Sequence, residues 1–183
     1  MQSKEKALQK IAHEIEICDA CKVGKHGMAV PGEGNPDADI MFVGEAPGRT
    51  EAATGRPFIG RSGELLRKLI NESGLKEEDV YITSPVKYLP DYITPKPSDI
   101  AHGKTHFDEQ VKIINPKIIV LLGRVAVLAV LNKNISVVKE HGTIIQESGR
   151  KYFITVHPAA ALRFTKMKAT LLEDFKKLKT IIS

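Results

Sequence analysis

Residues 118–131 read IIVLLGRVAVLAVL, an apolar run of five residues that is separated by Gly-Arg from a second apolar stretch. The first run is rich in β-branched residues and bounded by turn residues, which is typical of a strand buried on both faces of a parallel sheet. The second stretch predicts a helix that begins directly after this strand. Three similar runs, at 40–43, 80–83 and 152–156, predict three more strands.

Helical patterns lie before, between and after these strands. The helix in the middle of the chain has Ser62 as its candidate N-cap and Gly74 beyond its end. A hairpin over 142–156, with its turn at Ser148-Gly149, leads into the fourth strand. The apolar residues at helical spacing are Leu8, Ile11 and Ile15; Leu65, Leu66, Leu69 and Ile70; Val111 and Ile114; and Met167, Leu171, Phe175, Leu178 and Ile182.

Strands that alternate with helices predict an α/β fold, a three-layer α/β/α sandwich with a central, mainly parallel four-stranded sheet. The length of 183 residues fits one domain. We therefore expect a single domain over residues 1–183, to which residues 1–38 add an N-terminal helix and a cysteine-containing loop.

The composition, with 42% hydrophobic and 27% charged residues, is that of a globular protein. No apolar run approaches the roughly 20 residues of a membrane helix, and the N-terminal stretch mixes charges where a secretory signal is apolar. The two cysteines, Cys18 and Cys21, are too few for a disulfide framework. We expect a reduced, cytoplasmic protein that makes no membrane contact.

The net charge of +5 is concentrated at one end of the chain. Residues 151–183 hold seven basic and two acidic side chains, whereas residues 1–150 hold equal numbers of each. Such an excess attracts a polyanion if it adjoins a binding site, and otherwise forms a solvated helix face.

The residues that follow the strands are candidates for a site, because ligands of such sheets bind outside the carboxyl ends of the strands. Glu45 follows the first strand, Ser84 the second, Arg124 the third and His157 the fourth. Taken singly, each is an ordinary loop residue. Together they place a carboxylate, a hydroxyl, a guanidinium and an imidazole at one sheet edge.

A second candidate segment, residues 55–63, reads GRPFIGRSG. Phe58 lies between a proline and a glycine, where it can stack on a planar ligand or fill the core. The helix that starts near Ser62 offers free backbone N–H groups to a phosphate. The glycine-rich stretch GEAPG (44–48) after the first strand lacks the Lys-Ser/Thr pair of a P-loop.

These stretches together resemble the family 4 uracil-DNA glycosylases. The similarity runs from about residue 18 to residue 163 and rests on GEAPG (44–48), GRPFIGRSGELL (55–66), ITSPVK (82–87) and HPAAALR (157–163). It implies a uracil-DNA glycosylase-like fold and a monofunctional enzyme of DNA repair. Such an enzyme flips uracil, or a related deaminated base, out of DNA and hydrolyses its N-glycosidic bond.

The resemblance also implies roles for individual residues. Glu45 orients the attacking water and opposes the cationic sugar, while His157 donates a hydrogen bond to uracil O2. Phe58 stacks on the extruded base and Ala46 touches its edge. Ser84 stands where the family has asparagine, whose amide pairs with the base, so we expect both weaker base discrimination and a lower rate, or a different preferred base.

Contacts with DNA follow from the same motifs. Ser62 and its neighbouring amides hold phosphates, Arg163 belongs to the loop that enters the minor groove, and Lys166 adds screened attraction. The expected partner is DNA that contains a deaminated base, bound by a monomer.

After Ser84, the ligands of the family's [4Fe–4S] cluster are the second feature in which this sequence differs from the family. The four cysteines of that cluster correspond here to Cys18, Cys21, Tyr88 and Gly103. Two thiolates do not hold a cubane alone, so we interpret Cys18 and Cys21 as remnant ligands and expect no cofactor. His102 and His106 lie nearby in sequence and leave a hybrid or zinc site as the alternative.

Two other functions compete with the glycosylase. A DNA-binding relative with weakened or lost catalysis would recognise damaged or single-stranded DNA, and Ser84 and the missing cysteines favour it. A nucleotide or phosphate-ester hydrolase is disfavoured because the sheet edge lacks carboxylates arranged for metal ions.

Overall fold

The computed structural model describes residues 2–92 and 94–182. The helices over these residues are α1 (Gln2–Ile17), α2 (Asp19–Lys22), α3 (Arg49–Thr54), α4 (Arg61–Glu72), α5 (Pro97–Ile114), α6 (Arg124–Leu131), α7 (Val137–Glu140), α8 (Pro158–Arg163) and α9 (Thr165–Ile182), with a 3₁₀ turn at Glu77–Asp79. The strands are β1 (Lys25–His26), β2 (Glu33–Gly34), β3 (Ile40–Val43), β4 (Val80–Thr83), β5 (Leu89–Pro90), β6 (Ile118–Leu122), β7 (Ile144–Glu147) and β8 (Arg150–Thr155).

The central sheet has the strand order β2-β4-β3-β6-β8-β7. Its four inner strands are the four predicted from the sequence, and they run parallel to one another. The predicted strand count of four was too low, because β2 and β7 add antiparallel edges. β7 and β8 form the predicted hairpin, whose turn residue Ser148 has a φ of 51°.

The register brings the ends of the inner strands level. Val43 at the end of β3 is paired with Thr83 on one side and Leu121 on the other, and Leu122 is paired with Thr155 at the end of β8. The loops that follow these strands therefore leave the sheet at one edge.

Helices cover both faces of this sheet, as the predicted α/β/α sandwich requires. α4, α8 and α9 pack against one another, and α5 packs against α1 and α6. Phe42 of β3 stacks on Phe175 of α9 with ring centroids 6.0 Å apart. The inner strands are buried along most of their length, which explains why they read as continuous apolar runs.

Two helix boundaries differ from the prediction. α4 begins at Arg61 with Gly60 as its N-cap, so Ser62 is inside the first turn and is not the cap. α5 begins at Pro97, where its first turn is closed by the Asp99 carboxylate, which accepts from the Lys96 N–H at 2.9 Å. Its N-terminal half is polar and carries no helical apolar pattern, so only the end near Ile114 was predicted.

The N-terminal segment docks onto this second layer. α1 lies against α5, and Lys4 Nζ donates to the Ile114 carbonyl at 3.2 Å. None of the helices in the described part of the chain combines the length and apolar character needed to cross a bilayer.

Candidate active site at the carboxyl edge of the sheet

A cleft of about 800 Å³ opens where the inner strands end. Most of the residues predicted from the sequence as site residues line it: Glu45, Ala46, Phe58, Ser62, Ser84, His157 and Arg163. Two are not part of the lining. Lys166 is an exposed residue in the first turn of α9, and Arg124 is exposed at the start of α6.

His157 is held as a neutral imidazole. It is the N-cap of α8, and its Nδ1 accepts a hydrogen bond from the Ala159 N–H at 3.1 Å. Burial lowers its pKa to about 4. Because Nδ1 accepts, the single ring proton is on Nε2, so Nε2 is a hydrogen-bond donor that stays uncharged at neutral pH.

Glu45 lies in the same cleft as a half-buried carboxylate. Burial raises its pKa above the ordinary value of 4.5, and the Arg124 guanidinium partly opposes this shift. The described residues give its carboxylate no hydrogen-bond donor, so both oxygens are available to a water molecule or a ligand. Arg124 thus acts on the site through its charge, although it does not line the cleft.

Phe58 is held in a backbone conformation that few side chains adopt. Its φ is 50°, and its ring centroid lies 5.8 Å from that of His157, with the two planes tilted by 32°. A Cβ on Gly44 would approach Phe58 Cζ to 2.4 Å, and one on Gly63 would approach the Phe58 carbonyl carbon to 2.0 Å. The half-buried ring therefore forms a wall of the cleft while also packing against the core.

Two further side chains fix this loop, and sequence reasoning missed both. The buried Glu51 carboxylate accepts from the N–H groups of Gly48 at 3.1 Å, Ile59 at 2.9 Å and Gly60 at 2.8 Å. It thereby ties the loop after β3 to the loop that carries the Phe58 ring. The spacing from Gly48 to Glu51 is that of an N-cap and N3, which was the available signal.

Arg67 of α4 is the second of these residues. Its Nε donates to the Phe58 carbonyl and one terminal nitrogen donates to the Pro57 carbonyl, both at 2.9 Å. The same guanidinium pairs with Glu33 at 2.6 Å and with Glu77. Because its partners are far apart in sequence, no local motif indicated this role.

Ser84 is buried at the cleft, and its hydroxyl is already engaged. Oγ donates to the Val86 carbonyl at 2.8 Å. The hydroxyl proton is therefore not free for a ligand, while the oxygen keeps lone pairs that can accept a hydrogen bond.

The four-cysteine cluster implied by the resemblance does not fit this chain. Cys18 and Cys21 are the two cysteines of the sequence. Tyr88 is buried and its hydroxyl lies 3.3 Å from the Ile15 carbonyl. A Cβ on Gly103 would come within 2.1 Å of the Pro85 carbonyl oxygen, so no side chain fits at that position.

A different set of ligand atoms is present instead. Cys18, Cys21, His102 and His106 each offer one donor atom, and these atoms all lie within 4.8 Å of one another. This group, which we call the Cys/His group, contributes no residue to the lining of the cleft.

Comparison with known proteins agrees with the fold and the motifs. The model of the Uracil DNA glycosylase superfamily matches residues 31–179. A type-4 uracil-DNA glycosylase of Sulfurisphaera tokodaii is 40% identical over 96% of this chain and 84% of its own length. One of Thermotoga maritima is 39% identical over 100% of this chain and 98% of its own length. A type-5 uracil-DNA glycosylase of Pyrobaculum aerophilum is 28% identical over 73% of the chain. On this evidence the chain belongs to the uracil DNA glycosylase superfamily.

Proposed function

We propose that this chain is a monofunctional DNA glycosylase that flips uracil, or a related deaminated base, out of DNA and hydrolyses its N-glycosidic bond. The observation that carries the proposal is that Glu45, Phe58 and His157 line one cleft. The family membership and the names of the type-4 relatives support the same reaction. We propose DNA as the partner and retain the predicted monomer and cytoplasmic location as expectations.

The reaction develops two opposite charges that the cleft must stabilise. As the bond between the sugar C1′ and the base nitrogen breaks, the sugar becomes an oxocarbenium-like cation and uracil becomes an anion. Water then adds to C1′ and gives up a proton, and the uracil anion takes up a proton on its ring nitrogen, which leaves an abasic sugar and free uracil. A base outside the helix stacks on an aromatic ring, and we assign this contact to Phe58.

His157 would stabilise the leaving uracil. An uncharged Nε2–H donor loses no proton to solvent at neutral pH and can bond to uracil O2 as negative charge grows there. A preorganised donor of this kind contributes about 3–4 kcal/mol to the transition state. The hydrogen bond from Ala159 to Nδ1 supports this assignment, because it sets the tautomer.

Glu45 would act on the opposite side of the breaking bond. Its ionised carboxylate, with no donor from the described residues, can bind and orient the attacking water and accept its proton. The same negative charge opposes the sugar cation. The raised pKa of Glu45 keeps it a stronger base than an exposed glutamate.

Ser84 and residues at the rim of the cleft would recognise the base and the surrounding DNA. Because the Ser84 proton is held by Val86, its oxygen can accept from uracil N3–H but cannot donate to O4. Recognition of the base would therefore be weaker than with an amide. We assign the backbone of Ala46 to the base edge, and Ser62, Arg163 and Lys166 to the DNA backbone and groove.

The second candidate function is a DNA-binding relative with weakened catalysis, and the engaged Ser84 hydroxyl favours it. A single experiment separates the two. The protein is incubated with a labelled oligonucleotide carrying one uracil, and alkali then cleaves any abasic site. Scission that depends on Glu45 and His157 supports the glycosylase, whereas tight binding to uracil, hypoxanthine and xanthine substrates with no scission supports the relative.

A further inference from the structure

The Cys/His group joins two parts of the chain that are far apart in sequence. Cys18 is the N-cap of α2, and Cys21 is the third residue of that helix. The Cys21 N–H donates to the Cys18 carbonyl at 3.2 Å. His102 and His106 are four residues apart on α5, so both lie on one helix face. Cys18 Sγ lies 3.2 Å from His102 Nε2.

The His106 imidazole of this group has one nitrogen for which the described residues supply no partner. His106 Nδ1 is buried and has no hydrogen-bond partner among the described residues. Buried ring nitrogens normally have a partner. The two imidazole rings lie edge to face with centroids 5.9 Å apart, so neither ring satisfies the other.

We propose that Cys18, Cys21, His102 and His106 bind one Zn²⁺ ion. Two cysteines and two histidines are a tetrahedral donor set of structural zinc sites. Zn–S bonds of about 2.3 Å and Zn–N bonds of about 2.0 Å place tetrahedral donor atoms roughly 3.3–3.8 Å apart. The separations in this group, 3.2 Å for one pair and within 4.8 Å for all, are on that scale.

A single ion fits these separations better than a cluster does. In a cubane each ligand binds a different iron, and in a Rieske centre the two histidines bind one iron and the two cysteines the other. Both arrangements hold the donor atoms of different irons apart by the width of the cluster. The sequence favoured the interpretation that Cys18 and Cys21 are remnants of a lost cluster, and the zinc proposal replaces it. Gly103 has no room for a ligand side chain, but the neighbouring residue His102 supplies a donor atom.

The proposed ion has a structural role. All four coordination positions are taken by the chain, which leaves no open position for a substrate. The site connects the segment after α1 to α5, and none of its ligands lines the cleft. A second donor set, formed by Glu14, His106 and Glu109, shares one histidine with it but contains no thiolate.

The test is the metal content of the chain purified without a histidine tag, measured by elemental analysis with acid-labile sulfide. We expect about one zinc per chain, little iron and no sulfide. Cobalt added to the metal-free protein should give the strong visible absorption of a tetrahedral cobalt–thiolate site. Protein that binds no zinc and keeps both thiols reactive in its presence, or that holds iron and sulfide, overturns the proposal.

Variants identify the ligands. The C18S/C21S double variant should lose stoichiometric zinc, while H13A, which removes an exposed histidine of α1 outside the group, should keep it. H106C should also keep zinc, because Cys₃His is a zinc donor set. Zinc retained by C18S/C21S would assign the ion to the carboxylate-containing set and overturn the proposal.

Thermal unfolding gives an independent readout if a variant folds poorly. Removing zinc from the wild-type chain with a chelator should lower its Tm, and added zinc should restore it. In C18S/C21S the Tm should not respond to zinc. A wild-type Tm that is insensitive to chelator and zinc contradicts the structural role, and none of these measurements depends on glycosylase activity.

Discussion

The cleft and the Cys/His group both gather side chains from distant parts of the chain, but they differ in how those side chains are satisfied. In the cleft, Glu51 accepts three backbone N–H groups and His157 accepts one. In the Cys/His group, His106 has a buried nitrogen with no partner from the described residues. The fold by itself therefore fixes the loops of the cleft and leaves Glu45 open to a ligand, whereas the described residues of the Cys/His group leave a buried ring nitrogen without a partner.

The largest effects should come from the two proposed catalytic residues of the cleft. We expect E45Q and H157A each to lower the single-turnover rate of uracil excision by about 10²–10³-fold. E45Q removes the general base that accepts the proton of the water, and H157A removes the hydrogen-bond donor to uracil O2. K117A is a matched control, because Lys117 makes a surface ion pair with Asp39 at the opposite end of the sheet. A loss of less than tenfold in both variants would contradict these roles.

The stability of the cleft should depend on Glu51 whether or not zinc is bound. E51A leaves three N–H groups without their acceptor, and we expect it to lower the free energy of unfolding by about 2–3 kcal/mol. Urea unfolding of zinc-loaded and zinc-free protein measures this cost in both states. Glu51 and the Cys/His group share no hydrogen-bond partner, so the two costs should agree. Unequal costs would show that the two regions are coupled.

The pH dependence should follow Glu45 and not His157. The reaction needs an ionised Glu45, whose pKa is raised by burial, and a neutral His157, whose pKa is lowered to about 4. As the pH falls, Glu45 takes up its proton first, and the rate should drop about tenfold per pH unit below that pKa. Single-turnover rates between about pH 4 and 8 measure this limb. In E45Q, where Glu45 no longer titrates, the residual rate should stay level until the pH approaches 4, and a midpoint near 6.5 in that variant would contradict the neutral imidazole.

A smaller gain should come from restoring an amide next to the base. S84N supplies both a donor and an acceptor, and we expect it to raise kcat/KM for uracil by about tenfold, the equivalent of about 1.4 kcal/mol. S84A is the matched control, since it removes the oxygen without adding an amide and should lower the rate slightly. If S84N is no faster than wild type, the engaged hydroxyl is not what limits recognition.

The smallest effect should come from the exposed Lys166. K166A is expected to weaken DNA binding uniformly across sequences and to reduce the slope of log affinity against log salt by about 1. Fluorescence anisotropy at several salt concentrations measures this slope, with K117A again as the control. An unchanged slope would remove Lys166 from the DNA-binding surface.

Much of the fold could be predicted because its signals are local. The inner strands are buried on both faces and read as unbroken apolar runs, and α9 shows a clear apolar stripe. The strand β2 has two residues and no periodicity, and the first half of α5 is polar, so neither gave a signal. The capping of α4 by Gly60, two residues before Ser62, depends on loop geometry that the sequence does not specify.

The candidate site likewise contains residues that a local sequence pattern indicates and residues that it does not. Glu45, Ser84 and His157 could be found because each lies within two residues of the end of a strand, and Phe58 because it belongs to a recognisable motif. Arg67 binds backbone atoms of a loop brought near it by the fold, and such partners leave no pattern in side-chain spacing; for Glu51 the spacing signals only the contact with Gly48 and not those with Ile59 and Gly60. The proximity of His102 to Cys18 likewise depends on how α5 packs against the N-terminal segment.

The close packing of Phe58 against Gly44 and Gly63 limits which substitutions related sequences can accept. A Cβ at Gly44 would collide with the Phe58 ring, so we expect Gly44 and Phe58 to change together; a Cβ at Gly63 would collide with the Phe58 backbone carbonyl, so we expect Gly63 to stay glycine whatever side chain stands at position 58. A gene copy that keeps its glutamate and histidine but has gained an alanine at one of these glycines would encode a protein whose Phe58 wall is displaced. Inspecting this trio therefore offers a quick way to separate working copies from decayed ones.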